Sequence, residues 1–331
     1  SFKIGNIKDL TKQKKANKKL SMIMMLPKVI SYDWLLNRLS LKKETFIQDI
    51  DRMIFFTEIS NDYFLARCIK ERKKINVYVY SWDHPYKHTR FSNQVKYITW
   101  SEETKQDISK LQNIDIDRIE ILGSTQFAYI NDAVKINSKK RTFDFKYIYY
   151  ACAIGIDPLV PQEVKIINKI HSIIKNHDTN LKLVVRPYPV LNNWKLYDEL
   201  RGKGIVFDDN FRTVDLSVDE SSIQEKFEKI KNAELLLHLG TTFGLEASFF
   251  DTPSVIVDFG YDKKTKDLLH IKHFIHQGQN DKYLVNACSE QHYSDEKHLI
   301  SWLDKFVKKN KNKKMQSSNE RITSNFHLKS F

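Results

Sequence analysis

The chain has 331 residues, 41% hydrophobic and 12% aromatic, which supplies ordinary globular cores and excludes an intrinsically disordered protein. Lys and Arg number 54 against 41 Asp and Glu, a formal charge of +13, and the three cysteines, Cys68, Cys152 and Cys288, are too few and too scattered for a zinc cluster or a disulfide framework. The length is about twice that of a single domain and predicts two domains with a ligand cleft between them.

The N-terminal twenty residues carry Lys3, Lys8, Lys12, Lys14, Lys15, Lys18 and Lys19 against the single acid Asp9. Such a block attracts polyanions, whether phosphorylated sugars, an anionic membrane surface or nucleic acid, or simply solubilises the chain end. The apolar run from Leu20 to Leu26 is far short of the roughly 20 residues that a spanning helix needs, so a cytoplasmic protein is expected, peripheral at the inner membrane face. Residues 52–56 (Arg-Met-Ile-Phe-Phe) predict a strand, 61–73 a helix with Phe64, Leu65, Cys68 and Ile69 on one face, and 75–80 (Ile-Asn-Val-Tyr-Val-Tyr) a second strand, together a βαβ unit. A strand at 95–100, a helix from Ser101 to Leu111 and a strand from Ile119 to Leu122 follow, ending at Gly123. The polar stretch 131–144 predicts the junction, giving an N-terminal domain over 1–140, a C-terminal domain over 141–300 and a helix with a basic tail over 301–331.

Beyond the junction the pattern is a strand at 146–152, a helix over 161–175 carrying Val164, Ile167, Ile170 and Ile174, and a strand at 181–185. A helix over 222–232 with Ile223, Phe227 and Ile230 at helical spacing leads to a strand from Glu234 to Leu239, a short helix from Phe243 to Phe250 and a strand from Ser254 to Phe259. Lys305, Lys308, Lys309, Lys311, Lys313 and Lys314 form a second basic block near the end. Alternation of this kind predicts an α/β fold with parallel sheets wrapped by helices in both halves.

Ligands of open parallel sheets bind beyond the carboxyl ends of the strands, and three segments fall there. They are Ser81-Trp82-Asp83-His84-Pro85, Arg186-Pro187-Tyr188-Pro189, and Gly240-Thr241-Thr242-Phe243-Gly244-Leu245-Glu246-Ala247. In the third, Gly240 frees the backbone for a sharp strand-to-helix turn, and Thr241 and Thr242 bring hydroxyls and amides to a helix start that favours phosphate. Glu246, one turn on, suits a ribose or sugar hydroxyl; Thr242 as a plain helix cap and Glu246 as a backbone acceptor fit the same spacing. Arg186 offers a planar fork of donors to phosphate, Pro187 stiffens its loop, and Tyr188 stacks on a base or packs into a core. Asp83 and His84 are the candidate catalytic pair, two titratable side chains at a strand end. Asp115-Ile116-Asp117, Asp208-Asp209 and the triplet His270, His273 and His276 are too weakly patterned to predict a metal, and there is neither a Walker loop nor a Gly-x-Gly-x-x-Gly fingerprint.

The order Ser81-Trp82-Asp83, Tyr97 to Glu102, Ile119 to Phe127, Leu183 to Pro189 and Thr241 to Pro253 resembles bacterial surface-polysaccharide glycosyltransferases of the GT-B fold, over roughly residues 50 to 260. It is similar also to CDP-glycerol and CDP-ribitol phosphotransferases and to capsule Kdo and sialic acid transferases. The resemblance implies two Rossmann-like domains whose parallel sheets face a central cleft, with the nucleotide in the C-terminal domain and the acceptor presented by the N-terminal one. It makes Arg186, Thr241, Thr242 and Glu246 donor-site residues and implies catalysis without a metal or cofactor, on a UDP- or CMP-linked donor. Two departures stand out: Tyr188 replaces a His of many relatives, and His84 follows Asp83 where an amide is common.

The expected activity is transfer of a sugar from the nucleotide donor to a glycan or lipid-linked acceptor in bacterial surface polysaccharide synthesis. Transfer of a polyol phosphate from a CDP-linked donor and non-catalytic binding of a nucleotide sugar or polyanion are the alternatives. A nucleic acid partner is disfavoured, because the basic residues gather at the chain ends and no binding module is recognisable.

Overall fold

The computed structural model describes residues 32–38, 49–57, 62–85, 91–130, 142–152, 160–177, 180–188, 194–209, 220–257, 292–293 and 296–309. They fall into two compact units, one running to Thr99 and including Thr104–Ile121, the other formed by Trp100–Glu103 and the chain from Leu122 onward. The junction expected at 131–144 lies largely outside the described residues, as do Pro189, Cys288, the three histidines between 270 and 276, the N-terminal basic block, and Lys311, Lys313 and Lys314.

The first unit contains α1 (Tyr32–Arg38), β1 (Arg52–Phe56), α2 (Asp62–Lys70), β2 (Lys74–Tyr78), β3 (Lys96–Thr99), α3 (Glu102–Gln112) and β4 (Ile119–Ile121). Its sheet has the sequential order β1-β2-β3-β4, parallel throughout. Alternate strand residues Phe55, Ile75, Val77, Tyr97 and Ile119 share a core with Leu36 of α1, Leu65 and Cys68 of α2 and Ile108 of α3. That burial drives Cys68 above its usual thiol range, so it is a core side chain and no nucleophile. Asp33 fixes α1 by accepting hydrogen bonds from the Ser92 hydroxyl, the Asn93 amide (3.3 Å) and the Gln94 side chain (3.3 Å).

The helix expected over 61–73 stops at Lys70. Arg72 turns left-handed (φ 55°), and the amides of Arg72 and Lys73 fold back onto the carbonyls of Ile69 and Cys68, a Schellman ending made without glycine. Asn113 (φ 54°) ends α3 in a related way, its successor Ile114 donating to the Ser109 carbonyl.

The second unit contains β5 (Lys146–Ala151), α4 (Val160–Asn176), β6 (Leu181–Arg186), α5 (Trp194–Tyr197), β7 (Val206–Phe207), α6 (Glu220–Lys231), β8 (Leu235–His238), α7 (Thr242–Phe249), β9 (Ser254–Val257), β10 (His292–Tyr293) and α8 (Glu296–Lys309). The strand expected from Ser254 to Phe259 is seen to Val257, its last two residues lying outside the described ones. All strands are parallel, in the order β10-β9-β8-β5-β6-β7.

The chain therefore leaves β5 in one direction to make β6 and β7, then returns to lay β8 on the other side of β5. Right-handed crossovers put helices from the two directions on opposite faces. On one face α4 and α8 bury Ile167, Ile170, Leu299 and Leu303 against Ile148, Tyr150, Leu183, Leu237 and Val255. On the other, the Tyr147 hydroxyl donates to the carbonyl of Lys229 in α6 (2.6 Å), and Tyr149 packs against Phe243 of α7 (6.2 Å between centroids).

Candidate functional site

The order of the larger sheet reverses between β5 and β8, paired as Ala151 with His238. At such a switch point the loops leaving the two strands part to opposite faces and open a crevice, the usual ligand position in doubly wound sheets. Both strands lead to helices that begin on this edge, α4 at Val160 and α7 at Thr242.

The turn after β8 is built around Gly240 (φ 75°), a conformation that a side chain opposes. His238, fully buried at the strand end, braces it: Nδ1 accepts hydrogen bonds from the amides of Gly240 (3.2 Å) and Thr241 (3.1 Å). An accepting Nδ1 places the proton of a neutral ring on Nε2. Gly244 allows the ring to sit there, because a Cβ at that position would lie 2.5 Å from both Cε1 and Nε2 of His238. Two of the turn's amides thus serve His238 and are not available to an anion.

Thr241, not Thr242, is the N-cap of α7, and its side chain makes no capping hydrogen bond. Its Oγ1 is buried with no hydrogen-bond partner. Glu246 is 4% exposed; Oε1 accepts from Lys226 Nζ at 2.7 Å, while Oε2 is buried with no hydrogen-bond partner. Buried polar atoms are nearly always satisfied, and the Thr241 oxygen at the N-cap and the Glu246 oxygen one turn into the helix can each accept a further hydrogen bond at this switch point.

Arg186 ends β6 beside this edge and is mostly buried. Its Nη1 is 2.8 Å from Asp208 Oδ2, and its guanidinium lies 5.7 Å from the Phe243 ring. Asp208 also takes Lys229 Nζ (2.6 Å) and the hydroxyl of Tyr149. Burial on its own would raise the Asp208 carboxyl, yet the charges of Arg186 and Lys229 outweigh it and hold the group below the ordinary carboxylate range. Arg186 is driven the other way: burial lowers it, but Tyr149 and Asp208 keep it above its usual range and charged. Pro187 is buried, and Tyr188 packs its ring on the core formed with α4.

In the first unit, the amide of His84 bonds the carbonyl of Ser81 (3.2 Å). Asp83 is half-buried and accepts the Ser81 hydroxyl (2.6 Å), whereas His84 is 0% exposed, hydrogen-bonded through Nδ1 to Thr57 and packed edge-on against Tyr80. Asp208 and Asp209 face different partners, Asp209 pairing with Arg201 (2.5 Å). Among the described residues no group of three His, Cys, Asp or Glu side chains gathers where a metal would sit, and no helix is long and apolar enough to cross a membrane.

His238, Asp208, Lys226 and Lys229 were not singled out as site residues by the sequence. The signals available were a polar residue closing the apolar run Leu235–His238 and two lysines at i, i+3 on α6.

No family model matches the chain, and no curated protein does. Solved structures do. A protein from Listeria monocytogenes named as a UDP-N-acetylglucosamine 2-epimerase superposes with a TM-score of 0.56 at 11% identity, covering 94% of this chain and 75% of that one. S. aureus MnaA, solved with UDP, gives a TM-score of 0.50 at 12% identity, covering 90% of this chain and 87% of that one. The α/β fold with a parallel sheet in each unit is the GT-B type that such proteins share.

Proposed function

We propose that this protein is a glycosyltransferase that takes a sugar from a nucleotide-activated donor, UDP- or CMP-linked, and transfers it to a glycan or lipid-linked acceptor. The observation that carries the reading is the coincidence of the β5/β8 switch point with the buried, unbonded Thr241 Oγ1 and Glu246 Oε2. Thr241 and Thr242 at the start of α7 suit the donor phosphates, Glu246 the ribose hydroxyls, and Arg186 adds positive charge on the same strand edge. The acceptor hydroxyl attacks the anomeric carbon, the bond from that carbon to the phosphate oxygen breaks, and the nucleotide leaves with its charge balanced by these groups. Asp83, half-exposed, is the proposed base in preference to the fully buried His84. The two basic blocks serve an anionic membrane surface where a lipid-linked acceptor would lie.

The fold shared with UDP-sugar epimerases favours one second reading, isomerisation of the sugar on its nucleotide. Incubation with UDP- and CMP-sugars separates the two. A transferase releases nucleotide only when acceptor is present, and an epimerase yields an isomeric nucleotide sugar without any. A polyol phosphotransferase would instead leave phosphate in the product.

Thr241→Val tests the site itself. A hydroxyl that bonds nothing in the free protein contributes no stability, so the variant should melt at the same temperature as the parent or higher. The melting shift induced by saturating UDP should fall, because a ligand stabilises only in proportion to its affinity. An unchanged shift in differential scanning fluorimetry would remove Thr241 from the donor site.

A further inference from the structure

We propose that Lys226 is a positioning residue for Glu246, holding the carboxylate so that Oε2 meets the ribose hydroxyls of the bound nucleotide; the proposal rests on the donor-site reading above. Glu246 is the sole charge in α7, Thr-Phe-Gly-Leu-Glu-Ala-Ser-Phe, and is flanked by the buried Leu245 and Ala247. A carboxylate 4% exposed in such surroundings needs a cation, and its own helix has none to give. Lys226 supplies it from α6. Its Nζ is 2.7 Å from Oε1, and the side chain, 18% exposed, is steadied by two rings, Phe227 at 4.7 Å and Phe243 at 5.4 Å from the ammonium.

Lys229, one turn further on α6, is already committed to Asp208 and Glu225. The division of labour is therefore fixed by spacing: Lys229 reaches under the sheet edge to Asp208, and Lys226 reaches α7. Because Lys226 takes one carboxylate oxygen, the other is left as an oriented acceptor, and a vicinal diol is the chemistry that uses it. A phosphate would be repelled by the carboxylate itself, so this part of the turn reads the sugar of the nucleotide and not its anion.

Calorimetric titration of the full chain with UDP and with 2′,3′-dideoxy-UDP tests the assignment. Lys226→Met and Glu246→Gln should each weaken UDP about tenfold, the value of one charge-assisted hydrogen bond, and leave dideoxy-UDP within about twofold of the parent. Lys226→Arg should restore most of the UDP affinity, and the double variant should bind no more weakly than Glu246→Gln alone. Equal losses for both nucleotides in Lys226→Met would show a role confined to packing and overturn the proposal. If Glu246→Gln discriminates the two nucleotides while Lys226→Met binds like the parent, Lys226 falls and the donor site stands. If Glu246→Gln binds UDP as the parent does, or the parent binds neither UDP nor CMP, the donor-site reading fails first.

Discussion

Asp208→Ala is expected to lower the unfolding free energy by about 3–5 kcal/mol at pH 7, the cost of stripping one partner from a buried ionic cluster. The carboxyl is 2% exposed and holds Arg186, Lys229 and the Tyr149 hydroxyl at once. Removing it strips that carboxylate from two cations at once, Lys229 keeping the half-exposed Glu225 at 2.6 Å. The pH dependence follows from the direction in which Asp208 is moved. Its carboxyl in the folded protein lies below the ordinary value of about 3.9, so its contribution is complete above that pH and is lost as the pH falls toward the folded value. The gap between parent and variant in urea unfolding should thus be constant from pH 7 to 5 and narrow below about pH 4. A gap under about 1 kcal/mol at pH 7 would mean that the cluster is solvated and not the brace described.

Most of the fold was legible because the larger sheet is buried on both faces and its strands read as apolar runs, Leu183–Val185 and Leu235–Leu237 among them. Helices showed through one-sided spacing, as with Val164, Ile167, Ile170 and Ile174. What periodicity did not reveal was the stop of α2, expected at residue 73 but made at Lys70 with Arg72 left-handed, whereas α3 and α7 end within one residue of expectation, ahead of the left-handed Asn113 and Asp251. The candidate turn was legible as a strand-to-helix bend, since Gly240-Thr241-Thr242 follows an apolar run, but its internal wiring was not. The sequence suggests amides gathered for a phosphate, whereas two of them are turned onto His238, and Thr241 Oγ1 and Glu246 Oε2 are buried oxygens without a hydrogen bond. Arg186 was legible as a cation at a strand end; its tie to Asp208 spans 22 positions and depends on the register of β6 with β7. Spacing reports contacts within an element, and strand order decides those between elements.

Gly244→Ala separates an ordinary helix position from the packed turn described here. In an exposed helix the change would stabilise by about 1 kcal/mol, since glycine is the poorer helix former. At position 244 the added methyl would lie 2.5 Å from two atoms of the His238 ring, which is fully buried and held at Nδ1 by two amides. Either α7 moves off the sheet or the ring swings and releases both amides. Overpacking costs about 1–3 kcal/mol and each lost hydrogen bond about 1, so the propensity gain is overcome and a net loss of about 2 kcal/mol is expected. The same movement displaces Thr241 and Glu246, and UDP affinity should drop about tenfold with it. His238→Ala removes the obstacle: in that background Gly244→Ala should cost little or even stabilise, giving a coupling energy of about 1–3 kcal/mol between the two positions. Additive effects in that cycle would mean that the ring does not stand against α7, and the turn would then have to be held by something other than His238.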